Sequence, residues 1–192
     1  TIDAGGSSRV FDAVAGTSTI DALTMTGGYS NHGGAVSVGT TSTYTPADLT
    51  ISNSTITGNQ AAYGGGLAVN YGASLELTNT TVSGNNAYLI GGGIANQGTL
   101  TLTNSTVENN SSGYIGGGIA SDNTLTVIGS TLSGNQVSGL GGGLFPPGYT
   151  NGGGGGLYNS GKATLLDTTI AGNKSNYAGG GIYNREQLTL TN

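Results

Sequence analysis

Gly91-Gly92-Gly93-Ile94-Ala95-Asn96-Gln97-Gly98-Thr99-Leu100-Thr101-Leu102-Thr103-Asn104-Ser105-Thr106-Val107 is the stretch that decides the fold. Its opening phrase, three glycines followed by Leu or Ile, recurs at Gly64, Gly116, Gly141, Gly154 and Gly179. Taken in order, the six copies start 27, 25, 25, 13 and 25 residues apart, which sets a 25-residue period with one 13-residue insertion. The closing phrase keeps the same beat, beginning at Ser54, Thr80, Ser105, Ser130 and Thr168 and ending in Asn59, Asn85, Asn110, Asn135 and Asn173. Two unrelated phrases held in one register establish a structural repeat.

Inside each unit the apolar residues alternate with period two and never with the helical period. Leu49/Ile51, Leu75/Leu77, Leu100/Leu102, Leu125/Val127, Ala163/Leu165 and Leu188/Leu190 each bracket an outward residue, as short strands require. Five residues beyond the first five pairs come Ile56, Val82, Val107, Leu132 and Ile170. An odd offset places such a residue on the opposite face of a straight strand, so the chain must bend in between. A third inward position follows the glycines at Leu67, Ile94, Ile119, Leu157 and Ile182. Three short strands and three corners per unit predict an all-β, right-handed parallel β-helix, the hand following from the rule for parallel crossovers. The N-terminal third fits more loosely, with Leu23 to Gly28 matching the closing phrase and Gly33-Gly34-Ala35-Val36 the glycine phrase. Counting a partial coil there, the expectation is about seven coils and a rod of roughly 34 Å at a strand spacing near 4.8 Å. The expectation is one solenoid over residues 1–192, a segment of something longer or polymerised, with a loop insertion at 145–153.

Composition narrows the function. Glycine contributes 39 of 192 residues while charged residues make only 7%, which excludes an ordinary helical protein. The regularly spaced aliphatics argue for a packed core and against disorder. Three prolines and clustered glycines exclude collagen. Four basic against nine acidic residues leave no electrostatic footprint for nucleic acid. The absence of cysteine removes disulfides and thiolate metal sites, and no apolar run approaches the roughly 20 residues of a membrane span. No cofactor is implied.

The asparagines fall in columns. Asn59, Asn85, Asn110, Asn135 and Asn173 stand three residues after the corner aliphatic, where stacked amides can each donate to one neighbour and accept from the other. A structural ladder is the expectation. Asn53, Asn79 and Asn104 match the N-glycosylation sequon, but the alternation points them inward and argues against modification. Gly27, Gly58, Gly84, Gly134 and Gly172, with Asn109 in the same place, suggest a left-handed corner. The glycine triplets lack the helix and lysine of a phosphate cradle, and no regularly placed Asp follows them as a calcium-binding glycine-rich repeat needs.

Catalysis on such a scaffold needs paired carboxylates, or carboxylates with calcium, and a cation. The nine carboxylates project onto scattered columns, and His32 is expected in a solvated polar turn. No catalytic or metal-binding residue is assigned, and the chain is expected not to be an enzyme. The outward Thr50/Ser52, Thr101/Thr103 and Thr189/Thr191 form a T-x-T-like row that could order water in an ice-like lattice, interrupted by Glu76, Ile128 and Leu166. Tyrosine, with ten copies, is the abundant aromatic. Tyr158 and Tyr183 share a column, and Phe145 and Tyr149 lie in the insertion; these four are the candidate ligand or partner contacts, through stacking on sugar rings or on another molecule.

With these motifs in view, the chain resembles bacterial secreted right-handed parallel β-helix repeat proteins, long surface proteins built from units like residues 91–107. The opening Ile2-Asp3-Ala4-Gly5-Gly6-Ser7-Ser8-Arg9-Val10-Phe11 is similar to the lead-in of that group. Gly33-Gly34-Ala35-Val36 resembles a phrase of chlamydial polymorphic outer-membrane proteins, while Ser/Thr-Thr-aliphatic-x-Gly-Asn replaces their Phe-x-x-Asn. The resemblance implies an extracellular or cell-surface structural or adhesive rod, an adhesin or fibre subunit without catalysis. Exposed end rungs could pair with copies of the chain or with further repeats to make filaments. A glycan or host surface is the expected partner. The alternatives are a carbohydrate-binding or carbohydrate-cleaving β-helix and an ice-binding protein.

Overall fold

The computed structural model describes residues 1–40, 46–139 and 152–192. All of their strands pair in parallel, in four sheets that the chain visits in rotation. One coil shows the plan. Thr81–Ser83 lies in sheet I, Asn86–Ile90 in sheet II, Ile94–Asn96 in sheet III and Thr99–Thr103 in sheet IV, and Thr106–Glu108 then returns to sheet I. Sheets I, III and IV have seven strands and sheet II has six among the described residues. This is a parallel β-helix of seven coils.

The period-two pattern works as the sequence requires. Val82 pairs with Ile56 below and Val107 above, and Ile94 with Leu67 and Ile119. Leu100 and Leu102 pair with Leu75 and Leu77 and with Leu125 and Val127. All are buried in one continuous core. Stacking like on like lets each aliphatic bury nearly its whole side chain, worth about 1.5–3 kcal/mol apiece. The insertion does not disturb the stack, because Ile119 pairs with Leu157 and Ser133 with Ala171. Gly153, assigned to the insertion by sequence, instead bridges Ile115 and Ala178 on the rung register.

Two further sequence expectations change. Each coil has four strands, not three, because Gln60–Tyr63 and its equivalents form sheet II just before the glycines. Asn53, Asn79 and Asn104 do not point inward. They are exposed, with φ of 49°, 49° and 48°, so a left-handed residue forms the corner between sheets IV and I. That rotation turns the following residue in, creating a hydroxyl ladder. Thr80 N donates to Ser105 Oγ at 3.1 Å and Ser105 N to Ser130 Oγ at 2.9 Å. Each hydroxyl bonds back to a carbonyl two residues earlier, as Ser105 Oγ does to Thr103 O at 2.9 Å.

At the next corner the amide ladder is continuous. Asn59, Asn85, Asn110 and Asn135 each donate Nδ2 to the Oδ1 of the asparagine one coil on, ending on Asn173, at 2.9–3.0 Å. That oxygen also accepts the donor residue's own backbone N–H, at 2.9–3.1 Å. Among the described residues no buried side-chain polar atom lacks a partner.

Candidate functional site

Sheet III has three-residue strands, so the middle residue of each faces out. Along the register these are Asp12, Ser37, Ala68, Ala95, Ala120, Tyr158 and Tyr183. Three successive alanines leave a trough parallel to the rod axis, a cleft of about 450 Å³. Its size lies within the roughly 300–1,000 Å³ typical of ligand sites. On one side stand Tyr63 and Ile90, from the ends of sheet II strands; on the other stand Asn70, Gln97 and Asp122, from the corner after sheet III. Ile90 belongs to a second apolar cluster outside the helix core, with Ile115, Ala120 and Tyr158, packed against Tyr63 and Tyr183.

Tyr158 and Tyr183 stack at 5.6 Å between centroids, 13° from parallel, one rung past the alanines. Tyr158 is only 2% exposed and meets Arg185 Nη1 through its hydroxyl at 3.2 Å, so Tyr183 is the ring that solvent can reach. Phe145 and Tyr149 lie outside the described residues.

His32 departs from expectation. It ends the strand Tyr29–His32, half-buried, and stacks on Tyr63 at 4.8 Å and 16°. Arg9 holds this end of the cleft through Nε to His32 O and Gly33 O, at 3.1 and 3.0 Å, and Nη2 to Ser30 Oγ at 2.8 Å. It also pairs with Asp12. Burial, and then the Arg9 charge, push the His32 pKa below its ordinary 6.5. Between the depressed folded value and 6.5 the unfolded chain binds a proton that the folded chain refuses, so stability is complete above 6.5 and falls as pH drops through that window. Melting temperature should therefore decline from about pH 7.5 to about pH 5.5 in a wild-type series, and a His32→Gln series should be flatter. Equal slopes in both would disprove the assignment.

Asp122 is the carboxylate lining the cleft, and Ser160 Oγ donates to it at 2.6 Å. No group of three His, Cys, Asp or Glu side chains among the described residues could hold a metal ion. No helix there is long and apolar enough to cross a membrane. The cleft thus offers aromatic and aliphatic groups on one wall and, on the other, side-chain amides beside the Asp122 carboxylate.

A family model described as a right-handed beta helix region matches residues 2–175. The chain belongs to the right-handed β-helix family. No curated protein and no solved structure matches it. As a right-handed β-helix, it exposes four kinds of face, and the cleft lies where three successive outward residues of sheet III are alanine. Sequence reasoning passed over this site because alanine carries no chemistry. The recurrence of Ala68, Ala95 and Ala120 straight after the inward aliphatic was the available signal.

Proposed function

We propose that this β-helix is a non-catalytic adhesive rod of the bacterial cell exterior whose axial cleft holds an extended, uncharged glycan. The observation that carries the reading is the alanine-floored trough between an aromatic wall and an amide wall. Sugar rings present apolar C–H faces that stack on tyrosine and hydroxyls that pair with Asn and Gln side chains. A trough along the axis favours a polymer over a compact ligand. Cleavage of that glycan is the less favoured alternative, since acid–base hydrolysis uses two carboxylates and, among the described residues, the cleft lining offers Asp122 alone.

Ala95→Tyr tests this directly. The same column already carries Tyr158 and Tyr183, so the backbone accepts the ring, which would fill the middle of the trough. Wild-type protein should bind neutral polysaccharides on a glycan array, and Ala95→Tyr should lose that binding with an unchanged circular dichroism spectrum. Absence of wild-type binding, or its survival in the folded variant, would refute the cleft as the adhesive site.

A further inference from the structure

Sheet I carries a different surface. The middle residue of each strand is inward, and the residue before it faces out. Those outward residues are Thr24, Thr55, Thr81, Thr106, Thr131 and Thr169, an unbroken column of threonine with no shift in register. Two residues along each strand lies a second outward position, occupied by Thr57, Ser83, Glu108, Ser133 and Ala171 in the last five rungs. The corner beyond it is mostly glycine, so little rises beside the face.

We propose that this threonine face of sheet I binds the surface of ice. The reading goes beyond the cleft and does not depend on it. Ice is an uncharged lattice in which every molecule donates and accepts. A threonine hydroxyl does both, and its methyl group orders water without competing for those bonds. Six rungs repeat the hydroxyl about every 4.8 Å along the rod, and the second column lies about 6.6 Å away along the strand. Immobilising a water has an entropic cost, so an array gains only if its own groups are already fixed. Here β-branching and strand pairing fix them.

The hydroxyls are also free to act. Thr80 and Thr168, at the adjoining corner, turn theirs back to carbonyls at 2.9 Å. Among the described residues none of the six column hydroxyls is used in that way. The first column carries no charge, which matches an uncharged lattice. The row singled out by sequence spacing lies instead on sheet IV, where Glu76 breaks the central column and Asp48, Lys162, Ile128 and Leu166 flank it.

The test uses the whole chain and three single variants, each checked for folding by circular dichroism. Wild-type protein should partition into a growing ice hemisphere and show thermal hysteresis. Thr81→Tyr and Thr106→Tyr, at separate rungs of sheet I, should lose both properties. Thr126→Tyr on sheet IV should keep them. Exclusion of wild-type protein from ice, or partitioning by either folded sheet I variant, overturns the proposal, as does loss confined to Thr126→Tyr. Binding of a polysaccharide through the threonine face without any affinity for ice would likewise overturn it.

Discussion

Asn110→Ala should lower the stability of the folded chain by about 4 kcal/mol, from the loss of several buried hydrogen bonds at once. Asn110 is 1% exposed, and its side chain serves both neighbouring coils. Its Oδ1 accepts from the backbone N–H and Nδ2 of Asn85, each at 3.0 Å, while its own Nδ2 donates to Val82 O at 2.9 Å and Asn135 Oδ1 at 3.0 Å. Alanine leaves the Asn85 N–H and the Val82 carbonyl buried without these partners. Each orphan costs about 1–3 kcal/mol, against a typical total of 5–15 kcal/mol for a domain. Asn104→Ala is the control. Asn104 is exposed, so its truncation should cost only the left-handed strain of about 1–2 kcal/mol. Urea denaturation of the pair measures the difference. Equal midpoints would show that the ladder is not a principal source of stability.

These two asparagine columns mark how far the sequence could be read. Alternation located sheets I, III and IV because aliphatic residues recur there in strict register, as Val82 with Val107 and Ile94 with Ile119. Sheet II escaped because its inward column runs Ala61, Ala87, Ser112 and Val137, a mixture without a hydrophobic signature, in strands as short as two residues. Parity counting places Asn104 and its equivalents on the wrong face because it assumes a pleat that a φ of 48° abolishes. Ser105 takes the inward place instead. The cleft was beyond any linear reading: its floor comes from successive coils and its walls from two different corners. The stack of His32 on Tyr63 joins residues from adjacent coils, which no spacing within one coil could show.

Gly92→Ala should be more damaging still, preventing the chain from reaching its native coil stacking. A Cβ at Gly92 would lie 2.2 Å from Gly117 O and 2.5 Å from the carbonyl carbon of Ser111, both backbone atoms. Gly65 and Gly117 occupy the same column with the same obstruction, at 2.3 Å and 2.5 Å from the next coil's carbonyl oxygen. Relief requires the coils to separate, which breaks Gly92 N to Gly116 O at 2.9 Å and Gly93 N to Gly118 O at 3.0 Å and uncovers the asparagine ladder behind them. A loss above about 4 kcal/mol, or failure to fold, is the expected result for such a clash. Gly84 tests the opposite case. There φ is 62°, and an added Cβ meets nothing closer than Thr57 Oγ1 at 3.6 Å, so only backbone strain opposes a side chain. Asn109 fills the equivalent corner one coil on with φ of 53°, so Gly84→Asn should change stability by no more than about 0.5 kcal/mol. Comparing soluble yield and urea midpoints of Gly92→Ala and Gly84→Asn separates the two uses of glycine. If both were tolerated alike, backbone contact between coils would not be what requires the central glycine of each triplet.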